Sequence, residues 1–280
     1  MTSPPPTPTI GVFDSGVGGL TVLGALLRQA SSADYLYLGD TARLPYGSKS
    51  RATVARYAVS SARFLVEHGA DALVIACNTA SALALDALRE AIDVPVIGVI
   101  ETGVLAARQS TRSGDVLVIA TSATVESGAY TTACRDSGMR ALEQACPLLV
   151  PLVEEGWIQQ PVTRDIVSIY LASLLADADA RGLAADTLVL GCTHYPLLRG
   201  VIEDVLASTA GAQTRHAPIR VIDSAHVTAE QVAGRLDLTA PPRRPALRFY
   251  ATDGVARFRT LGSRFLGHPI DHVQLVDLGG

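Results

Sequence analysis

The chain has 280 residues, 48% of them hydrophobic and 18% charged, with a net charge of -4. That length holds one large domain or two modest ones, and the charge balance lacks the basic excess of a nucleic-acid-binding surface. No apolar run reaches the length of a bilayer span, and the opening MTSPPPTPTI has neither the basic nor the apolar region of a secretion signal, so the expectation is a cytoplasmic protein with no nucleic-acid or membrane partner.

Residues 1–8, rich in proline and threonine, cannot build a packed core and read as a flexible tail. Beyond them, short runs rich in Val, Ile and Leu recur at 9–13, 35–38, 72–76, 94–99, 116–120, 148–150, 187–190, 220–222 and 247–251. Their apolarity is continuous rather than alternating, which is the pattern of strands covered on both faces. Helical patterns fill the intervals at 50–68, 79–91, 163–180 and 196–206, the last opening with Pro196 at a first helical position. Strands alternating with helices predict an α/β fold with mainly parallel sheets.

Two segments echo each other. Leu73-Val74-Ile75-Ala76-Cys77-Asn78-Thr79 and Leu188-Val189-Leu190-Gly191-Cys192-Thr193-His194 are both apolar strands ending in a cysteine, followed by polar residues and a helix. Open α/β sheets place ligands at the carboxyl ends of their strands. Two such halves facing each other would form one cleft with a thiol on each wall. A buried cysteine is often only a small hydrophobe, but the polar Asn78-Thr79 and Thr193-His194 favour a site here.

The glycine-rich stretch after the first strand, GVFDSGVGGL at 11–20, fits neither common phosphate loop. The third glycine of GxGxxG would fall on Thr21, and no lysine stands where GxxxxGK[ST] needs one. Asp14 at the strand end adds a carboxylate that would repel phosphate. The glycines are expected to let the chain turn sharply and bring the helix start to a small ligand, with Asp14 either facing that ligand or capping the helix.

Metal chemistry has little support, since His68, His216, His226, His268 and His272 lack ligand spacing. The four cysteines, Cys77, Cys134, Cys146 and Cys192, are too few for a disulfide framework in a chain of this size. A pyridoxal phosphate Schiff base would have to use Lys49, the only lysine. His194 two residues after Cys192 permits a thiol nucleophile with a histidine base, but that chemistry leaves Cys77 without a role. Two thiols fit inversion at a carbon acid, in which one base removes a proton from one face and an acid delivers a proton to the other. A cysteine with a reference pKa of about 8.5 serves as thiol or thiolate near neutrality once its neighbours tune it, and Asp14, Glu154 and His194 are the tuning groups.

These residues lie in segments that resemble the bacterial glutamate racemases, cofactor-independent members of the aspartate/glutamate racemase superfamily. The segments are GVFDSGVGGLTVL (11–23), YLGDTARLPYGSKS (37–50), ACNTASA (76–82), PVIGVIE (95–101), SGAY (127–130), PLVEEG (151–156), LGCTHYPLL (190–198) and IDSA (222–225), and they run through most of the chain from Thr9 onward. The resemblance implies interconversion of L- and D-glutamate, supplying D-glutamate for peptidoglycan, with no cofactor and no metal. It makes Cys77 and Cys192 the catalytic acid/bases, Cys77 facing the α-proton of the D-isomer and Cys192 that of the L-isomer. Asp14 assists Cys77, and Glu154 with His194 assists Cys192. Substrate is held by Asp14, Ser15, Tyr46, Gly47, Asn78, Thr79, Thr121, Thr193 and His194.

The resemblance also implies two pseudo-symmetric α/β domains facing each other across the active-site cleft, one from 9–105 plus 217–280 and the other from 106–216, in a chain that forms homodimers. Thr102 replaces a proline of the family, which is expected to loosen the crossover between domains without touching a catalytic group. Ala120 replaces a glycine before Thr121, and Cys134 and Cys146 match no catalytic position and are expected to be structural. The alternatives within the superfamily are an aspartate racemase or a related decarboxylase. The paired cysteines favour a racemase, and His194 favours glutamate. A different class of function is a binding protein that inhibits DNA gyrase, for which no interface is encoded in the sequence.

Overall fold

The computed structural model describes residues 7–210, 218–236, 238 and 243–279. Apart from Thr7 and Pro8, the expected tail lies outside these residues, as do His216 and the expected domain boundary at 216/217. The chain forms two compact units, one running up to Val99 and resuming at Thr228, the other Ile100–Val227.

In chain order, the first unit opens with β1 (Thr9–Asp14), α1 (Leu20–Gln29), β2 (Asp34–Gly39), α2 (Arg51–Glu67), β3 (Ala72–Ile75), α3 (Asn78–Ala91) and β4 (Val96–Gly98). Then follow α4 (Val99–Ser110), β5 (Asp115–Ala120), α5 (Ser122–Ser127), α6 (Ala129–Asp136), β6 (Arg140–Ala145), α7 (Leu149–Glu154), α8 (Pro161–Ala180), β7 (Thr187–Gly191), α9 (Arg199–Ala210) and β8 (Arg220–Asp223). The chain returns to the first unit within α10 (Ala225–Arg235), and β9 (Leu247–Ala251), α11 (Val255–Leu266) and β10 (Gln274–Leu275) follow.

Among the described residues, the first unit carries a sheet of order β10-β9-β2-β1-β3-β4 and the second a sheet of order β6-β5-β7-β8, both parallel throughout. The α/β fold with two parallel sheets is therefore present as expected. The run β2-β1-β3-β4 in one unit repeats as β6-β5-β7-β8 in the other, so the echo around the two cysteines is a topological repeat. Every residue of β3, β5 and β7 is buried, because helices cover parallel strands on both faces. In the first unit α1 packs on α11 and α2 packs on α3. No helix among the described residues is long and apolar enough to cross a membrane.

Two expectations are corrected, and one strand had no counterpart among them. The apolar run at 148–150 begins helix α7 rather than forming a strand, since a run that short does not distinguish the two and Pro151 falls in the first helical turn, where its missing N–H costs nothing. The strand in that region is β6, RALEQA, which the apolar pattern misses because an edge strand is covered incompletely and mixes charged and polar residues with apolar ones. Residues 220–227 were expected with the first unit, but β8 pairs with β7 in the register Leu188↔Val221, which ties that segment to the second.

The glycine-rich turn owes its composition to crowding. Gly19 has an ordinary helical φ of -61°. A Cβ there would lie 2.6 Å from Asp14 Cβ and 2.8 Å from Ala76 Cβ. Gly39, at the end of β2, is likewise closed, with the Gly16 carbonyl oxygen 2.3 Å from where its Cβ would be. The close approach is thus of α1 to the ends of β1 and β3. Asp14 is not the N-cap of α1, which is Gly19.

Gly19→Ala is expected to destabilise the chain by about 1–3 kcal/mol through overpacking. Gly200→Ala, in the first turn of α9 with nothing within 4 Å of its Cβ, is expected to leave stability unchanged or raise it by up to about 1 kcal/mol. Urea unfolding followed by circular dichroism checks both, and equal midpoints for the two variants would contradict the crowding argument.

Candidate active site

In the first unit the pairing of β1 with β3 in the register Phe13↔Ile75, extended by the bond from Ala76 N–H to the Phe13 carbonyl at 2.8 Å, brings Asp14 beside Ala76 and Cys77 just beyond. Strand order reverses at this point, because β1 is followed by β2 on one side and by β3 on the other. Ligands of open α/β sheets collect where strand order reverses. The end of β2 joins them through Asp40 N–H, which donates to the Asp14 carbonyl at 3.0 Å.

Cys77 is the N-cap of α3, its Sγ accepting from Ala80 N–H at 3.4 Å and lying 3.5 Å from Ser15 Oγ. The Asp14 carboxylate is buried and accepts from Gly16 N–H at 2.8 Å. Burial first, and then the negative charge of Asp14, push the Cys77 thiol up to about 12, with hydrogen bonds from Ser15 and Ala80 opposing the rise. A thiol raised so far holds its proton at neutral pH.

Asn78 and Thr79 form the first turn of α3 and are buried. Tyr46 and Gly47 lie in a short turn that contacts α3, with the Tyr46 ring 6.2 Å from Phe13. The Tyr46 hydroxyl donates to Asp40, a fully buried carboxylate that also receives Arg43 Nε at 2.9 and 2.7 Å and the Thr252 hydroxyl at 3.0 Å. Asp40 is not among the residues expected from the sequence. Its signal was a carboxylate at a strand end with Arg43 and Tyr46 close behind, but one donor, Thr252, comes from the far end of the chain.

The second unit repeats the arrangement with different chemistry. The register Ala120↔Gly191 between β5 and β7 sets Thr121 beside Cys192, again where strand order reverses. Gly191 is closed on its outer side, with Tyr130 Cε2 and the Ile119 carbonyl oxygen each 3.0 Å from where a Cβ would stand. Cys192 Sγ lies 3.9 Å from His194 Nδ1, and His194 Nε2 lies 3.2 Å from Glu154 Oε1 at the end of α7. Thr193 Oγ1 stands 3.5 Å from the same Nδ1, and Thr121 Oγ1 is 2.9 Å from Thr124 Oγ1. Cys192, His194 and Glu154 thus form a line in which a proton can pass between sulfur and carboxylate through the imidazole. Beneath it, the Tyr195 hydroxyl donates to the Cys146 carbonyl at 2.8 Å.

Of the expected site residues, Asp14, Ser15, Cys77, Asn78 and Thr79 follow strand ends in the first unit, with Tyr46 and Gly47 in a nearby turn; Thr121, Cys192, Thr193 and His194 follow strand ends in the second, with Glu154 at the end of α7. Cys134 and Cys146 are wholly buried, and burial pushes their thiols up to about 11 and about 12. Thr102 is buried, as the fourth residue of α4. Among the described residues no three His, Cys, Asp or Glu side chains group as a metal site. Lys49 lies just after the Tyr46 turn, its ammonium donating to the Pro45 carbonyl at 3.3 Å.

The family model for Asp/Glu/Hydantoin racemases matches residues 10–232. The chain is 47% identical to a glutamate racemase of Koribacter versatilis, with 98% of each chain covered. Among solved structures it is similar to the glutamate racemase of Thermus thermophilus in complex with β-chloro-D-alanine, at 43% identity and a TM-score of 0.83 with 99% of each chain covered. It is also similar to that of Francisella tularensis in complex with D-glutamate, at 34% identity and a TM-score of 0.83 over 97% of this chain and 98% of the other. With the family model spanning residues 10–232 and relatives matched over nearly their whole length, the chain belongs to the Asp/Glu/Hydantoin racemase family.

Proposed function

We propose that the protein is a glutamate racemase that interconverts L- and D-glutamate by a two-base mechanism and supplies D-glutamate for peptidoglycan. The observation that carries this reading is the pair of thiols with unlike surroundings, Cys77 beside Asp14 and Ser15, and Cys192 in line with His194 and Glu154. Near-full-length identity to glutamate racemases, one of them solved with D-glutamate, supports the choice of substrate.

In the D-to-L direction Cys77 takes the α-proton of D-glutamate and Cys192 gives a proton to the opposite face; in the L-to-D direction the roles exchange. Each half-reaction needs one sulfur deprotonated and the other protonated. Asp14 draws the proton from Cys77 before D-glutamate reacts, and His194, backed by Glu154, does the same for Cys192 before L-glutamate reacts. The substrate carboxylates are held by the hydroxyls of Ser15, Thr79, Thr121 and Thr193, by Asn78 and by the N–H groups that open α3, a helix start suited to anions. The Tyr46 hydroxyl is committed to Asp40, so Tyr46 and Gly47 reach substrate through backbone and ring. Holding carboxylates with neutral donors keeps fixed cations away from the sulfurs, where they would favour two thiolates at once. The thiols perform both proton transfers, and no cofactor or metal enters a step.

Incubation of either enantiomer in deuterated water with no cofactor is expected to give the other enantiomer carrying α-deuterium, read by mass spectrometry and optical rotation. Cys77→Ala or Cys192→Ala is expected to lower racemisation at least about a thousandfold, and full activity in either variant would overturn the two-thiol mechanism. Asp14→Asn is expected to damage the Cys77 side selectively. Enantiomers have an equilibrium constant of one, so kcat/KM must remain equal in the two directions. The damage appears instead as a primary isotope effect that is larger for α-deuterated D-glutamate than for the L-isomer, and equal effects would remove Asp14 from that role. Because the Cys77 thiol stands near 12, its alkylation by iodoacetamide in the free protein is expected to rise about tenfold per pH unit from 7 to 10 without a plateau. Asp14→Asn removes a charge that raises this pKa and so speeds alkylation at fixed pH. Peptide mass spectrometry checks both trends, and a plateau near pH 9 would contradict the elevated thiol.

A further inference from the structure

The C-terminal return of the first unit touches the Tyr46 turn through a buried carboxylate. Asp40 is wholly buried, and a buried charge is tolerated only when its lone pairs are met by donors. The Oδ2 atom accepts from the Tyr46 hydroxyl and from Arg43 Nε, and Oδ1 accepts from Arg43 Nε and from the Thr252 hydroxyl at 3.0 Å. Arg43 is itself fixed from the α2 side, its guanidinium 4.5 Å above the Tyr57 ring and 3.4 Å from Ser61 Oγ. Local chain therefore holds Arg43, and the distant segment after β9 supplies the remaining donor.

That segment is fastened to the same turn at several points. Thr252 N–H donates to the Gly39 carbonyl at 3.2 Å, and Thr252 Oγ1 also accepts from Ala42 N–H at 2.9 Å. Thr41 Oγ1 donates to the Asp253 carbonyl at 2.6 Å and accepts from Asp253 N–H at 2.9 Å. One hydroxyl, that of Thr252, thus serves a backbone amide of the 40–43 turn and the carboxylate that anchors Tyr46. Without it, Asp40 has a single side-chain donor on Oδ1 and is free to turn toward Arg43, carrying its bond to Tyr46 with it.

We propose that Thr252 is a positioning residue for the reaction, which through the Asp40 carboxylate holds Tyr46 and Gly47 where they meet substrate. The inference rests on the reading of the protein as a glutamate racemase, and Thr252 itself touches neither substrate nor thiol. Because the relay ends at a binding turn rather than at a sulfur, its loss weakens substrate binding and leaves proton transfer largely intact.

The test compares the wild type with Thr252→Val, which keeps the shape and loses the hydroxyl, and Thr252→Ser, which keeps the hydroxyl. Thr252→Val is expected to raise KM about tenfold for both glutamate enantiomers, with kcat within about threefold of wild type. Thr252→Ser is expected to bring KM back to within about twofold. A merely structural role would lower the melting temperature and the active fraction, and with them kcat, at unchanged KM. An unchanged KM in Thr252→Val, or an equal rise in Thr252→Ser, overturns the proposal. Should Thr252→Val fail to fold, Thr252→Ala takes its place with the same expectations.

A readout independent of turnover is the ¹⁹F resonance of 3-fluorotyrosine placed at position 46. It is expected to move in Thr252→Val and to stay in place in Thr252→Ser, and an unmoved resonance in Thr252→Val overturns the relay whatever the kinetics. If wild-type protein racemises neither glutamate enantiomer, the glutamate reading fails by itself, and the fluorine resonance still decides whether Thr252 positions Tyr46.

Discussion

Pairing of the first strand with the third, β1 with β3 and β5 with β7, determines where the two cysteines stand. In a parallel sheet, consecutive strands are joined by helical crossovers, and the chain of each unit lays its second strand on one side of the first and its third strand on the other. The two central carboxyl ends then lie side by side with helices leading away from them. A one-residue slip of register would turn a strand's side chains to the opposite face. The continuous burial of β3, β5 and β7 holds the registers that set Cys77 beyond Asp14 and Cys192 beside Thr121. The glycines at these ends follow from the same crowding. Gly19 lets α1 rest against Asp14 and Ala76, and Gly191 makes room for the Tyr130 ring just before Cys192.

On this repeated scaffold the two thiols have unlike neighbours. Cys77 caps a helix next to a buried carboxylate whose charge opposes ionisation of the sulfur. Cys192 faces an imidazole backed by a second carboxylate. On the proposed two-thiol reading, symmetry of the backbone with asymmetry of the side chains suits a reaction whose substrate and product are mirror images, because the two proton transfers are alike in kind while one sulfur must start deprotonated and the other protonated. At the Tyr46 turn a wholly buried carboxylate likewise joins its near neighbours Arg43 and Tyr46 to the distant Thr252.

Much of this was legible before any coordinates. Runs such as residues 72–76 and 187–190 declared themselves as strands because burial on both faces demands unbroken apolarity, and the cysteines that end them stood out through the polar residues that follow. Edge strands lack that constraint, so β6, with Arg140, Glu143 and Gln144, carried no such signature, while the apolar run at 148–150 offered a false one. The assignment of β8 to the second unit depended on a pairing with β7 that no local pattern announces.

The sequence by itself determined the α/β class, the positions of the two thiols at strand ends, and the placing of Thr193 and His194 beside Cys192, because each depends on residues adjacent in the chain. Tertiary structure decided which strands became neighbours, that Glu154 on α7 would stand behind His194, that the glycines of the first turn would serve packing, and that Asp40 would be held from Thr252. Those outcomes rest on contacts between residues far apart in sequence. Such contacts arise from the order in which strands add to a sheet, and short-range patterns of apolar and polar residues do not encode that order.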